Sequence, residues 1–159
     1  MAASPADLAP ETHRALGVAL YNRTRALLEI EGRSPAQDDE VIDCAHASAW
    51  HWRQVGNAAN AAHAVRGHWL CSRAYAILGR GESAVHHARR AGEILAAGGD
   101  GIEDWDAAAA AEAMARALAV SGDAAGASEW KMRARGLLEG VADAEDRAVI
   151  EGDLATLPV

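Results

Sequence analysis

Residues 74–91 read AYAILGRGESAVHHARRA, and residues 117–134 read ALAVSGDAAGASEWKMRA. With a shift of 43 residues, Ala74 meets Ala117, Ala76 meets Ala119, Gly79 meets Gly122, Ala84 meets Ala127, Arg90 meets Arg133 and Ala91 meets Ala134. The shared pattern has a physical meaning. An aliphatic helix end runs into a glycine, which can close a helix at positive φ without a Cβ penalty. Small residues follow five and twelve positions later, where a second helix can lie close against the first. Two copies of one helix–turn–helix unit are expected.

Working outward, the chain divides into seven helical segments. Residues 1–7 read as a loose tail with Pro5. The first helix spans Ala9 to Glu31, with Leu16, Leu20, Leu27 and Leu28 at near-helical spacing, and Gly32 stops it. Ser34-Pro35-Ala36-Gln37 opens the second: Ser34 is a good N-cap, Pro35 suits the first helical position and Gln37 completes a capping box. That helix ends near Gly56, and the third follows Asn57 and runs to Leu78. The fourth covers Glu82 to Ala97 and is broken by Gly98-Gly99-Asp100-Gly101. The fifth opens with Glu103, Asp104 and Asp106, acids placed where a helix dipole favours them, and ends at Ser121-Gly122. Asp123 caps the sixth, which runs to Gly140, and Asp143 caps the seventh, which ends at Leu157-Pro158. Short links make neighbours antiparallel. The result is one domain, 1–159, with helix pairs at 9–56, 57–98 and 102–140 and a terminal helix at 143–157 covering the end of the stack.

Here the chain resembles the tetratricopeptide repeat family. Tyr75, Gly79, Ala84 and Ala91 match that family's Tyr, turn Gly and two small positions. His68, Cys71 and Ser72 stand where its early Trp, Leu and Gly would be, Ala88 replaces its later aromatic, and its final Pro is absent. The second copy carries Leu118 and Lys131 at the Tyr and aromatic positions. The resemblance covers about residues 65–140 and implies an all-α fold of helix pairs stacked as a short right-handed α-solenoid. The segments AHASAWHW and SRAYAILGRGESAVHHARR also look like those of a group of small bacterial proteins, which implies the same helical fold.

Composition agrees with helices. Alanine dominates the hydrophobic half of the 159 residues, and there is no Phe, two Tyr and five Trp. A sheet would need more β-branched and aromatic residues, whereas Ala favours closely packed helices. Residues 1–80 hold eight acids and eight bases, and residues 81–159 hold fifteen acids and seven bases. An acidic second half argues against nucleic-acid binding, which needs a basic face. Cys44 and Cys71 make no disulfide framework. The opening MAASPADLAP has no basic region before an apolar run, and no apolar stretch suits a bilayer span, so the expectation is a cytoplasmic protein without membrane association.

Three surfaces are candidates. In tetratricopeptide proteins the first helix of each pair lines a concave groove. Carried over by register, that groove holds Arg66, Trp69 and Arg73, which share one face of the third helix, with Glu112 and Arg116 from the fifth. Arginines around a Trp suit a carboxylate or acidic peptide, because guanidinium binds bidentately and indole adds apolar area. The bland alternative is a core Trp69 with arginines that are solvated or pair with the acidic second half. The second cluster is His46, Trp50, His51 and Arg53, with Trp52. His46, Trp50 and Arg53 share a face while His51 and Trp52 point elsewhere, which suits a packing helix better than a site. The third is metal: His68 and Cys71 lie at i, i+3, with Cys44 a possible third. No C-x2-C, H-E-x-x-H or Glu-x-x-His pattern occurs, so no metal set and no cofactor is assigned. No G-x-S-x-G or phosphate loop names a reaction.

The sequence thus points to a non-enzymatic binding module that takes a protein or peptide in its groove. The alternative is a sensor for a small anionic metabolite between helices 1, 3 and 5. The third reading is a metal protein or enzyme using His46, His51 or His68. A thin Ala-rich core also makes a homodimer an expectation.

Overall fold

The computed structural model describes residues 4–55 and 60–159. Among them are seven α-helices: α1 (Pro10–Leu28), α2 (Pro35–Gln54), α3 (Asn60–Ile77), α4 (Gly81–Ala97), α5 (Asp104–Ser121), α6 (Ala124–Leu138) and α7 (Ala144–Ala155). The expected junction at Gly56 and Asn57 lies outside the described residues, as do residues 1–3 of the tail. The rest of the tail differs from expectation. Pro5–Asp7 is a 3₁₀ turn, capped by Ser4, whose own N–H donates to Asp7 Oδ2 at 2.9 Å.

The helix starts and stops follow local chemistry. Gln37 N–H donates to Ser34 Oγ at 3.3 Å, and Ser34 N–H donates back to Gln37 Oε1 at 2.8 Å, completing the box that opens α2. The repeat seen in the sequence extends to individual hydrogen bonds. Gly79 has φ +71° and Gly122 φ +92°. After each, the next residue bonds back five positions: Arg80 N–H to the Tyr75 carbonyl at 2.8 Å, and Asp123 N–H to the Leu118 carbonyl at 2.9 Å. Both closures are therefore of the Schellman type, which satisfies carbonyls the helix leaves unpaired.

The helices form two layers. α1, α3 and α5 lie side by side; α2 packs on α1 and α3, α4 on α3 and α5, and α6 on α5. The matched small residues Ala84, Ala91, Ala127 and Ala134 are all fully buried. They set how near the second helix of each unit approaches the first. Close approach recurs at Gly81, where an added Cβ would come within 2.7 Å of the Ser121 backbone, and at Gly67, where it would come within 2.9 Å of the Ala49 Cβ.

The seventh helix packs against α5 and α6. Ile150, Leu154 and Leu157 bury against Ala108, Ala111 and Ala115 of α5 and Ala134 and Leu138 of α6. Each such aliphatic side chain contributes about 1.5–3 kcal/mol when removed from water. On its other side, Asp153 pairs with Arg73 of α3. Among the described residues no helix is long and apolar enough to cross a membrane.

If alanine size sets the spacing within a unit, Ala84→Leu should destabilise the chain by about 1–3 kcal/mol through overpacking. Ala125→Leu, at an exposed position of α6, should leave the urea midpoint nearly unchanged.

Candidate functional site

The face of α3 that carries Arg66, Trp69 and Arg73 does point toward α5, and the structure shows how its charges are used. Arg66 grips Asp106 with two hydrogen bonds of 2.9 Å, and its Nη2 reaches Glu103 Oε2 at 3.0 Å. Its guanidinium also sits over the Trp105 ring, 4.4 Å from the centroid. Asp106 caps α5, as expected, but it is also buried and serves as the main anion for Arg66. Arg73 donates to Asp153 Oδ1 at 2.7 Å, while its Nη1 stands 3.9 Å from Glu112, beyond hydrogen-bond reach. Arg116 donates to Glu112 Oε1 and to the Asp153 carbonyl, both at 2.7 Å, and to Thr156 Oγ1 at 2.9 Å. Burial pushes the Glu112 carboxyl upward, against the downward pull of Arg116 and Arg73.

All three arginines thus hold protein carboxylates. Arg66 joins α3 to the start of α5, while Arg73 and Arg116 fasten α7. The three arginines are structural ties to the acidic second half, one of the arrangements the sequence left open, and burying an unpaired guanidinium would be costly.

Beside these ties lies a cavity of about 350 Å³. Arg66, Trp69 and Glu112 line it; Arg73 and Arg116 do not. Val18, Tyr21 and Arg25 come from α1, Ser48 and Trp52 from α2, His63, Gly67 and Leu70 from α3, Trp105 and Ala109 from α5, and Asp146, Val149, Ile150 and Asp153 from α7. Three indoles and a phenol join aliphatic side chains in a mainly apolar wall. Trp52, expected on a different face from His46, Trp50 and Arg53, belongs here. Its ring lies 4.4 Å from that of His63, tilted by 34°, and rests against Gly17, where an added Cβ would meet it at 3.0 Å. Nδ1 of His63 is buried without a hydrogen-bond partner among the described residues. Asp146, near Asp143, Glu103, Asp104 and Glu145, is shifted upward, by desolvation first and then by those acids.

The second cluster separates into different surroundings. Trp50 and His51 face α1, where His51 Nδ1 meets His13 Nδ1 at 2.8 Å and the His13 ring lies 5.5 Å from Trp50. Arg53 is exposed. His46 turns toward α3 and α4: its Nε2 lies 3.0 Å from the Tyr75 hydroxyl, and its ring centroid is 5.1 Å from that of His87.

That turn assembles a group that spacing along the chain concealed. Potential ligand atoms of His46, Cys71 and His87 all lie within 4.8 Å of one another. His68 Nδ1 is 3.0 Å from His87 Nδ1. Burial, followed by neighbouring positive charges, lowers His68 and His87 to about 4, so both rings are neutral at pH 7. Burial pushes the Cys71 thiol up to about 12. Cys44, the expected third member, is buried and free but stands outside this group. The His68/Cys71 spacing was visible; the partners on α2 and α4 required the packing of three helices.

Comparison with protein-family models, curated proteins and solved structures finds no match. The site is therefore read from its own geometry.

Arg73→Ala should lower stability by about 1.5–3 kcal/mol, the range for a hydrogen bond to a charged group, because it leaves Asp153 unpaired and loosens α7. Arg53→Ala should change the denaturation midpoint little. Chemical denaturation of the two variants checks the distinction.

Proposed function

We propose that this chain is a non-enzymatic helical binding module whose inter-helix pocket holds a small, mainly apolar ligand. The supporting observation is the Trp52, Trp69 and Trp105 lining of a cavity at the small end of the roughly 300–1,000 Å³ typical of small-molecule sites. Aromatic walls supply much of the contact area in such pockets, and a few polar groups fix orientation. Here those groups are His63, Arg25 and Asp146.

This reading keeps a tetratricopeptide-like stack and a concave face but changes the occupant. For a peptide lying along that face, α7 is an obstacle, since Val149, Ile150 and Asp153 already form one wall. For an anionic metabolite, Arg66, Arg73 and Arg116 are poor hosts because each already holds a carboxylate. An apolar ligand needs neither an open groove nor an unpaired guanidinium.

The test uses neutral indole and naphthalene compounds as probes, followed by tryptophan fluorescence and thermal shift. Wild type should show saturable quenching and a raised melting temperature. Val149→Trp, a change at a position more than half exposed on α7, should fill the cavity and abolish both effects while the circular dichroism stays helical. Absence of saturable binding to wild type, or equal binding to the folded variant, contradicts the proposal.

A further inference from the structure

Three helices bring three groups of metal-binding chemistry to one point: His46 from α2, Cys71 from α3 and His87 from α4. We propose that His46, Cys71 and His87 form a site for a divalent transition-metal ion, zinc in particular, on the side of α3 opposite the apolar pocket. The donor set fits that ion. Zinc combines imidazole nitrogen and thiolate sulfur at about 2.0–2.3 Å in a tetrahedral shell, so ligand atoms of one site stand within about 4 Å of each other. The present spread, within 4.8 Å, closes to that with small side-chain movements.

The surroundings agree with the assignment. Metal-bound imidazoles characteristically use one ring nitrogen for the ion and the other for a positioning hydrogen bond. His46 Nε2 is held at 3.0 Å by the Tyr75 hydroxyl, and His87 Nδ1 at 3.0 Å by His68. The assignment gives the ion the second nitrogen of each ring. A water would complete the tetrahedral shell beside these three ligands. Cys71 is only 1% exposed, whereas His46 is on the surface, so an ion enters past His46 toward the thiol. On binding, the Cys71 S–H bond breaks, its proton goes to solvent and the sulfur's electron pair forms the bond to the metal.

Titrating the metal-free full chain with Co²⁺ tests the site, because a thiolate ligand gives a sulfur-to-cobalt charge-transfer band and tetrahedral geometry gives intense visible bands. Wild type should saturate with a single ion per chain, and Zn²⁺ should erase the spectrum by displacement. Cys71→Ser should lose the charge-transfer band. His46→Ala, a change at an exposed side chain that leaves the fold intact by circular dichroism, should weaken binding by at least about tenfold. Cys44→Ser should leave the spectrum unchanged. A wild type with no charge-transfer band, a Cys71→Ser protein that retains it, a folded His46→Ala protein of unchanged affinity, or loss of the band in Cys44→Ser overturns the proposal.

Discussion

Close approach between helix backbones is the constraint on which the structure depends. With no Phe and few branched side chains, the core gains its density from alanines and glycines that bring neighbouring helices together, as at Gly81 against Ser121 and Gly67 against Ala49. Interiors must reach nearly crystalline packing whatever residues they use. A chain this poor in bulky residues reaches it by moving the backbones inward. Its few large side chains then gather where the helices separate. Trp69 is the clearest case, packing against three of the buried clusters at once.

From this follows the division of labour on α3. One face carries Arg66, Trp69 and Arg73; another carries His68, Cys71 and Tyr75, with the same spacing of three and four residues. The first meets α5 and α7, where acidic partners take up its guanidinium groups and leave an indole-lined cavity beside them. The second meets α2 and α4, where imidazoles and a thiol converge. The arginine ties adjoin the wall of the first region: Arg73 and Arg116 fasten α7, which forms one side of the cavity, from two helices.

The helices were legible because their signals are local. Ser34-Pro35 and Gln37 marked the start of α2, and the matched glycines at 79 and 122 marked the turns to within a residue or two. The candidate site was legible only in part. Register on α3 grouped Arg66, Trp69 and Arg73 correctly, since one helix face is a local property. It could not show that Asp106 and Asp153, 40 and 80 positions later, would neutralise two of them. Nor could it place Trp52 in the cavity, because that depends on how α2 leans over α1 and α3. His46 and His87 were invisible as partners for the same reason: they lie on α2 and α4, and only the packing of both helices on α3 brings their rings together beside Cys71 and Tyr75.

The central claim is that the fold holds a preformed apolar pocket between its inner helices and α7. Xenon enters apolar cavities without needing polar partners, so diffraction from crystals pressurised with xenon is the most direct measurement. The account predicts xenon density among Trp52, Trp69, Trp105 and Val149, with α7 unmoved. A xenon-free pocket, or a collapsed one with α7 lying flat on α3, would contradict it.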